Sequence, residues 1–164
     1  IMKTLILVSL LFFSAGSMLA QKNIDALLEQ YNTRSIPYIS VQELKMDEDT
    51  YTILDTRKKQ EFLVSHLPNA VWVGEQPNDS ILNTLSISKS KPIVVYCSVG
   101  IRSETFGEKL SNKGYTNIQN LYGSIFAWKD AGFTVVDSLN KKTNKVHIFS
   151  KEWGKYLKTG DKVY

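Results

Sequence analysis

The residues best suited to chemistry lie in one stretch, Val94-Val95-Tyr96-Cys97-Ser98-Val99-Gly100-Ile101-Arg102-Ser103. Cys97 is the only cysteine in 164 residues. It cannot form an internal disulfide, so it is either an inert small core residue, the commoner fate of a lone thiol, or it works with an outside partner. Four residues separate it from Arg102, and Gly100 lies between them. A loop of that length can curl so that several backbone N–H groups point inward at the sulfur. Those amides, a helix N-terminus and Arg102 all favour an anion. The expected product is a lowered thiol pKa and a reactive thiolate.

Such a loop needs a strand to carry it in and a helix to carry it out. Pro92-Ile93-Val94-Val95-Tyr96 is the most apolar strand candidate after residue 20, of the kind buried on both faces of a parallel sheet. A helix is expected to open near Ser103 and run to residue 112, with Phe106 and Leu110 on its inner face and Gly114 at its end. Further strands are predicted at 37–39, 50–54, 70–73, 117–121 and 134–136. Helices are predicted at 23–31, 40–44, 58–64, 79–85 and 125–131. In the first of these Ile24, Leu27, Leu28 and Tyr31 share one side, and in the second Ser40 and Glu43 form a capping box. This alternation predicts an α/β fold, a mostly parallel central sheet flanked by helices. Ligands of such sheets bind where strands end and helices begin, which is where Cys97 stands.

Composition sets the frame. Lys3, the apolar run Leu5 to Phe13 and the small residues ending at Ala20 read as a signal peptide over 1–20, cut before Gln21. The run is shorter than the roughly 20 apolar residues that span a bilayer. The expectation is an exported protein, periplasmic or extracellular, with no stable membrane span after cleavage. Residues 21–35 are expected as a helical extension, 36–136 as the main domain, and 137–164 as a polar linker and basic tail docking through its apolar residues. That tail carries seven lysines from Lys141 onward against Glu152 and Asp161. Two histidines and one cysteine give no metal-binding spacing. No metal, cofactor or nucleic-acid partner is expected.

Cys-x-x-Gly-x-Arg-Ser after an apolar strand resembles the active-site loop of single-domain rhodanese-like sulfurtransferases. The resemblance extends to Tyr38 through Leu44, to Ile53-Leu54-Asp55-Thr56-Arg57, to Glu61-Phe62 and to His66-Leu67-Pro68-Asn69-Ala70. It continues through Gly114-Tyr115, Leu121-Tyr122-Gly123-Ser124, Ala127-Trp128 and Ala131-Gly132-Phe133. Ser65, Asn69 and Ser124 stand where family members commonly have glycine.

The resemblance implies a rhodanese-like fold over 36–136 and a double-displacement cycle. In it Cys97 takes a sulfane sulfur from a donor such as thiosulfate, and an external thiol, small molecule or protein, or cyanide in an assay, removes it. Ser98, Val99, Gly100, Ile101, Arg102 and Ser103 would form the persulfide loop, with Arg102 drawing in an anionic donor. Ser103 is expected mainly to cap the helix. The resemblance makes Asp55 and Arg57 braces of the loop, Arg57 with an outside chance of touching substrate. His66 is expected to hold its turn through backbone hydrogen bonds. Two rivals stand beside this reading. One is a persulfide carrier without turnover. The other is a phosphatase or arsenate-reductase-like enzyme, whose Cys-x5-Arg loop is one residue longer and sized for a tetrahedral oxyanion.

Overall fold

The computed structural model describes residues 23–164, so the expected signal peptide and its cleavage point lie outside the described residues. The first helix, α1 (23–31), buries Ile24, Leu27 and Leu28, the i, i+3, i+4 stripe of an amphipathic helix. Tyr31, expected on that side, is exposed instead. The helix ends there, with Asn32 N–H closing the last turn on the Leu28 carbonyl.

Strand β1 (Tyr38–Ile39) leads into α2 (Val41–Met46). There Ser40 Oγ accepts the Glu43 N–H and Glu43 returns a bond to the Ser40 N–H, a complete capping box. The chain continues through β2 (Thr52–Asp55), α3 (Lys59–Val64), β3 (Val71–Trp72) and α4 (Asp79–Thr84). It then forms β4 (Ile93–Tyr96), α5 (Ile101–Asn112), β5 (Ile118–Leu121) and α6 (Ser124–Asp130). The five strands form one sheet in the order β1-β5-β4-β2-β3, and every pairing is parallel.

Alternation along β4 divides the core. Val94 and Tyr96 face one cluster, Ile93 and Val95 the other. The first cluster holds the buried residues of α1, α2 and α6, and the second holds Leu82 of α4 with Phe106 and Leu110 of α5. Helices α5 and α6 therefore leave neighbouring strands toward opposite faces. A crevice opens above the carboxyl ends of β4 and β5.

The segment after α6 departs from expectation. The polar segment expected as a linker is part of a hairpin: residues 137–141 form its tip between β6 (Val135–Val136) and β7 (Lys142–Thr143). Asp137 Oδ1 closes the tip by accepting the Leu139 and Lys141 N–H groups, and Asn140 takes the left-handed conformation. Next, β8 (Lys145–His147) pairs in parallel with β9 (Asp161–Val163) around a 3-10 turn, Lys151–Tyr156. Val146, Ile148 and Leu157 enter the same cluster as α1 and α6. Asp130, at the end of α6, accepts the Lys158 and Thr159 N–H groups. The tail is thus packed into the core.

Candidate active site

Cys97 follows the last residue of β4 and is almost wholly buried. Its own N–H donates to Ser124 Oγ at 3.1 Å, tying the strand end to the start of α6. Its Sγ accepts the Gly100 N–H at 3.2 Å and lies 3.5 Å from Ser103 Oγ. Gly100 makes this turn possible. Its φ is +116°, a region that side chains rarely adopt, so the backbone angle rather than a lack of space calls for glycine here.

The Gly100 carbonyl is held outside the loop by two amides, Asn120 Nδ2 at 2.8 Å and Asn32 Nδ2 at 2.9 Å. A trans peptide aims its N–H opposite its carbonyl, so the Ile101 N–H faces the loop's interior. Helix α5 begins at Ile101, two residues earlier than expected, which brings its first N–H groups close to the sulfur. Ser103 is consequently the third helical residue and does not cap. It spans Cys97 Sγ and Asn120 Oδ1, the latter at 2.7 Å.

Burial pushes the Cys97 thiol up. The Arg102 charge, the Ser103 hydroxyl and the Ser103 and Gly100 N–H groups outweigh it, leaving the thiol below its ordinary range. The net direction is that of a nucleophile rather than a packing residue.

Arg102 is not a free cation. Its Nη1 and Nη2 bond both oxygens of Glu61 at 2.9 and 2.8 Å, and Nη2 also reaches Ser98 Oγ at 3.0 Å. Nη1 touches Glu75 at 3.3 Å. Glu61 is fully buried and also accepts the Lys58 N–H, the contact that starts α3. Burial pushes its carboxyl up, but Arg102 first and then Arg57 and the Lys58 N–H hold it below the ordinary carboxylate range. A two-point guanidinium–carboxylate contact fixes Arg102 in both direction and plane.

Asp55 and Arg57 lie elsewhere. Arg57 is wholly buried, with Nε and Nη2 on Asp55 and Nη2 also on the Ser65 carbonyl. Asp55 accepts the Tyr96 hydroxyl at 2.5 Å, so the pair reaches the loop through the residue before Cys97. The Arg57 Nε and Nη2 face Asp55 and Ser65, its buried Nη1 has no hydrogen-bond partner, and Arg57 is not among the residues that line the cavity. His66 donates from Nδ1 to the Phe62 carbonyl, stacks on the Phe62 ring, and pairs its backbone with Val136. It holds a turn and is not among the cavity's lining residues.

Of the three positions that depart from glycine, Asn69 and Ser124 do adopt left-handed angles, φ +60° and +50°. Asn tolerates that conformation. Ser124 offsets it by accepting the Cys97 N–H and donating to the Leu121 carbonyl. Ser65 is extended and needs no glycine.

Above the sulfur is a cavity of about 210 Å³ lined by Cys97, Ser98, Val99, Ile101, Arg102, Phe149 and Trp153. Two of these come from the tail. The Phe149 ring lies 4.6 Å from the Arg102 guanidinium carbon. Its backbone is held at φ +64°, and its N–H donates to His147 Nδ1 at 3.0 Å.

Comparison with known proteins agrees with this geometry. The profile of the rhodanese-like domain matches residues 40–131, more than half of the chain. The chain belongs to the rhodanese-like domain family. A rhodanese-related protein from Thermoplasma volcanium superimposes with a TM-score of 0.52 at 28% identity, over 61% of this chain and 97% of that one. Thiosulfate sulfurtransferase from Pseudomonas aeruginosa gives 0.59 at 18% identity, over 74% of this chain and 23% of that one, a likeness of fold.

In sequence, the adenylyltransferase and sulfurtransferase UBA4 of Candida albicans is 29% identical over 65% of this chain and 25% of that protein. A tRNA uridine(34) hydroxylase of Streptococcus thermophilus is 29% identical over 67% of this chain and 35% of its own length. The chain spans only about a quarter to a third of these two relatives. Sulfurtransferases are thus among the family members it resembles, alongside tRNA hydroxylases.

Four contributors to this rhodanese-like site were not assigned to it from sequence. Glu61 carried a signal, an acid at the third position of a helix, but its cavity-side partner is 41 residues away. Asn120 is a polar residue buried in a strand whose other polar member, Gln119, is only half-buried, and the sequence does not tell the two apart. Phe149 and Trp153 are among the apolar residues through which the tail was expected to dock, and nothing in their spacing says what they cover.

Proposed function

We propose that this protein is a sulfurtransferase that takes a sulfane sulfur onto Cys97 and passes it to an external thiol. The observation that carries the reading is Cys97 Sγ at the floor of a cavity, ringed by the Gly100 N–H, the Ser103 hydroxyl and the start of α5. The likeness to sulfurtransferases supports it. Thiolate attack on the terminal sulfur of the donor forms one S–S bond as another breaks, and the donor's remainder leaves with the bonding pair. With thiosulfate, the simplest donor, the leaving group is sulfite. The same donors that lower the thiol pKa would hold the anionic outer sulfur. Because Cys97 is the only cysteine, discharge requires a thiol from outside the chain.

Four intervening residues between Cys97 and Arg102 suit a single sulfur atom better than a tetrahedral oxyanion. Export to a periplasm or cell exterior belongs to the same proposal, supported by the basic, apolar and small-residue succession over 1–20.

The test is intact mass after incubation with thiosulfate, followed by thiocyanate formation with cyanide. One added sulfur on the native protein, absent in Cys97→Ser, is the expected result. No added sulfur under non-denaturing conditions rules the persulfide out, and loading without turnover identifies a carrier instead.

A further inference from the structure

The Cys97 cavity differs from what a small, doubly charged donor would need, and the difference comes from the tail. Both Nη atoms of Arg102 are already committed to carboxylates, Glu61 at 2.8 and 2.9 Å and Glu75 at 3.3 Å. One guanidinium facing two carboxylates leaves no net positive charge at that wall. The face of the guanidinium is covered by Phe149 at 4.6 Å. Lys58 Nζ sits over the same ring at 5.5 Å, but it belongs to the tail contact and does not line the cavity. The other walls are Val99, Ile101 and Trp153 with Ser98, whose hydroxyl is already bonded to Arg102 and Glu61.

A volume of about 210 Å³ is also large for the task. A water occupies roughly 30 Å³, so there is space for several non-hydrogen atoms beyond the transferred sulfur. Apolar walls, a neutralised cation and spare volume suit an organic group better than a compact dianion, whose desolvation would find no compensating charge.

Resting on the sulfurtransferase reading, we propose that Phe149 and Trp153 make the cavity selective for sulfur donors that carry an apolar organic group with little charge. The donor class is an organic persulfide, R–S–SH. Cys97 thiolate attacks its outer sulfur and the S–S bond of the donor breaks. R–S⁻ leaves with the bonding pair, and Cys97 keeps the outer sulfur as the persulfide. Phe149 and Trp153 act as specificity-determining residues: they touch R, not the reacting sulfur.

The experiment compares two stable probes with the same transferable sulfur, benzenethiosulfonate and thiosulfate, using cyanide as the common acceptor. The ratio of their kcat/KM values on the purified protein is divided by the ratio of their rates with free cysteine, which removes intrinsic reactivity. The normalised preference is expected to favour benzenethiosulfonate by about tenfold, the contribution of one good aromatic contact. Trp153→Ala and Phe149→Gly should each bring it toward unity. Phe149→Gly guards against a folding artefact, because glycine suits the left-handed backbone already present there.

A normalised preference at or below unity in the native protein, or one unchanged in both variants, overturns the proposal while leaving Cys97 a sulfur carrier. Failure of Cys97 to gain sulfur from either probe overturns the underlying reading instead, so the two failures are told apart by mass alone.

Discussion

Two arginine–carboxylate pairs flank the carboxyl end of β4, and they perform different work. In the Asp55–Arg57 pair both side chains are sealed from solvent, and Tyr96 connects them to the strand just before Cys97. In the Glu61–Arg102 pair the carboxylate is sealed, but the arginine side chain is 25% exposed and lines the cavity. The chemistry of the contact is the same. Only the second places a guanidinium, itself paired, beside the thiol and against the Phe149 ring. A buried pair that does not line the cavity is a brace, whereas a pair at the cavity wall tunes the thiol and its surroundings.

The sharpest way to break this contrast is to remove one carboxylate from the brace. Asp55→Ala strands the Arg57 charge in the core, and a loss of about 3–5 kcal/mol of unfolding free energy is expected by urea titration. A cost below about 1 kcal/mol would mean that the pair is no more than a surface-grade contact.

Arg102→Met tests the other side. Glu61 retains the Lys58 N–H and can take up a proton, so the loss of stability should be smaller than for Asp55→Ala. The loss of thiolate character should be larger, with Cys97 alkylation at neutral pH slowed by about tenfold. An unaltered alkylation profile against pH would remove Arg102 from the tuning of Cys97.

The smallest expected effect is in the acid limb of stability. Glu61 is held below its unfolded pKa, so its contribution is complete above the ordinary carboxylate value of about 4.3 and is lost as pH falls through its lower folded value. Glu61→Gln should therefore flatten that part of the stability–pH curve. A curve of the same steepness in both proteins would show that Glu61 does not hold a depressed pKa.

Much of the fold was legible because local pattern and tertiary role coincide. The i, i+3, i+4 stripe of α1, the Ser40–Glu43 capping box and the apolar β4 each demand one structure and receive it. The hairpin turn at 137–141 was not legible because a polar stretch reads equally as a linker or as a turn, and here Asp137 and Asn140 close a tight turn. Ser103 was misjudged because moving the start of a helix by two residues turns a cap into an interior donor.

The site divides in the same way. Cys97, Gly100 and Arg102 stood out because an anion-holding loop needs a nucleophile, a left-handed residue and a cation within a few positions of one another. Glu61, Asn120, Phe149 and Trp153 did not, since each acts through a partner distant in sequence.

What the sequence by itself determined is the alternation of strands and helices, the buried strand that presents Cys97, and the short loop whose amides can hold one sulfur. These depend on interactions between residues close along the chain. What only the tertiary structure decided is that Arg102 is paired with Glu61, that Arg57 is buried against Asp55, and that the tail brings aromatic rings to the cavity at the thiol. Those outcomes depend on which distant surfaces meet, and no local periodicity or spacing encodes that.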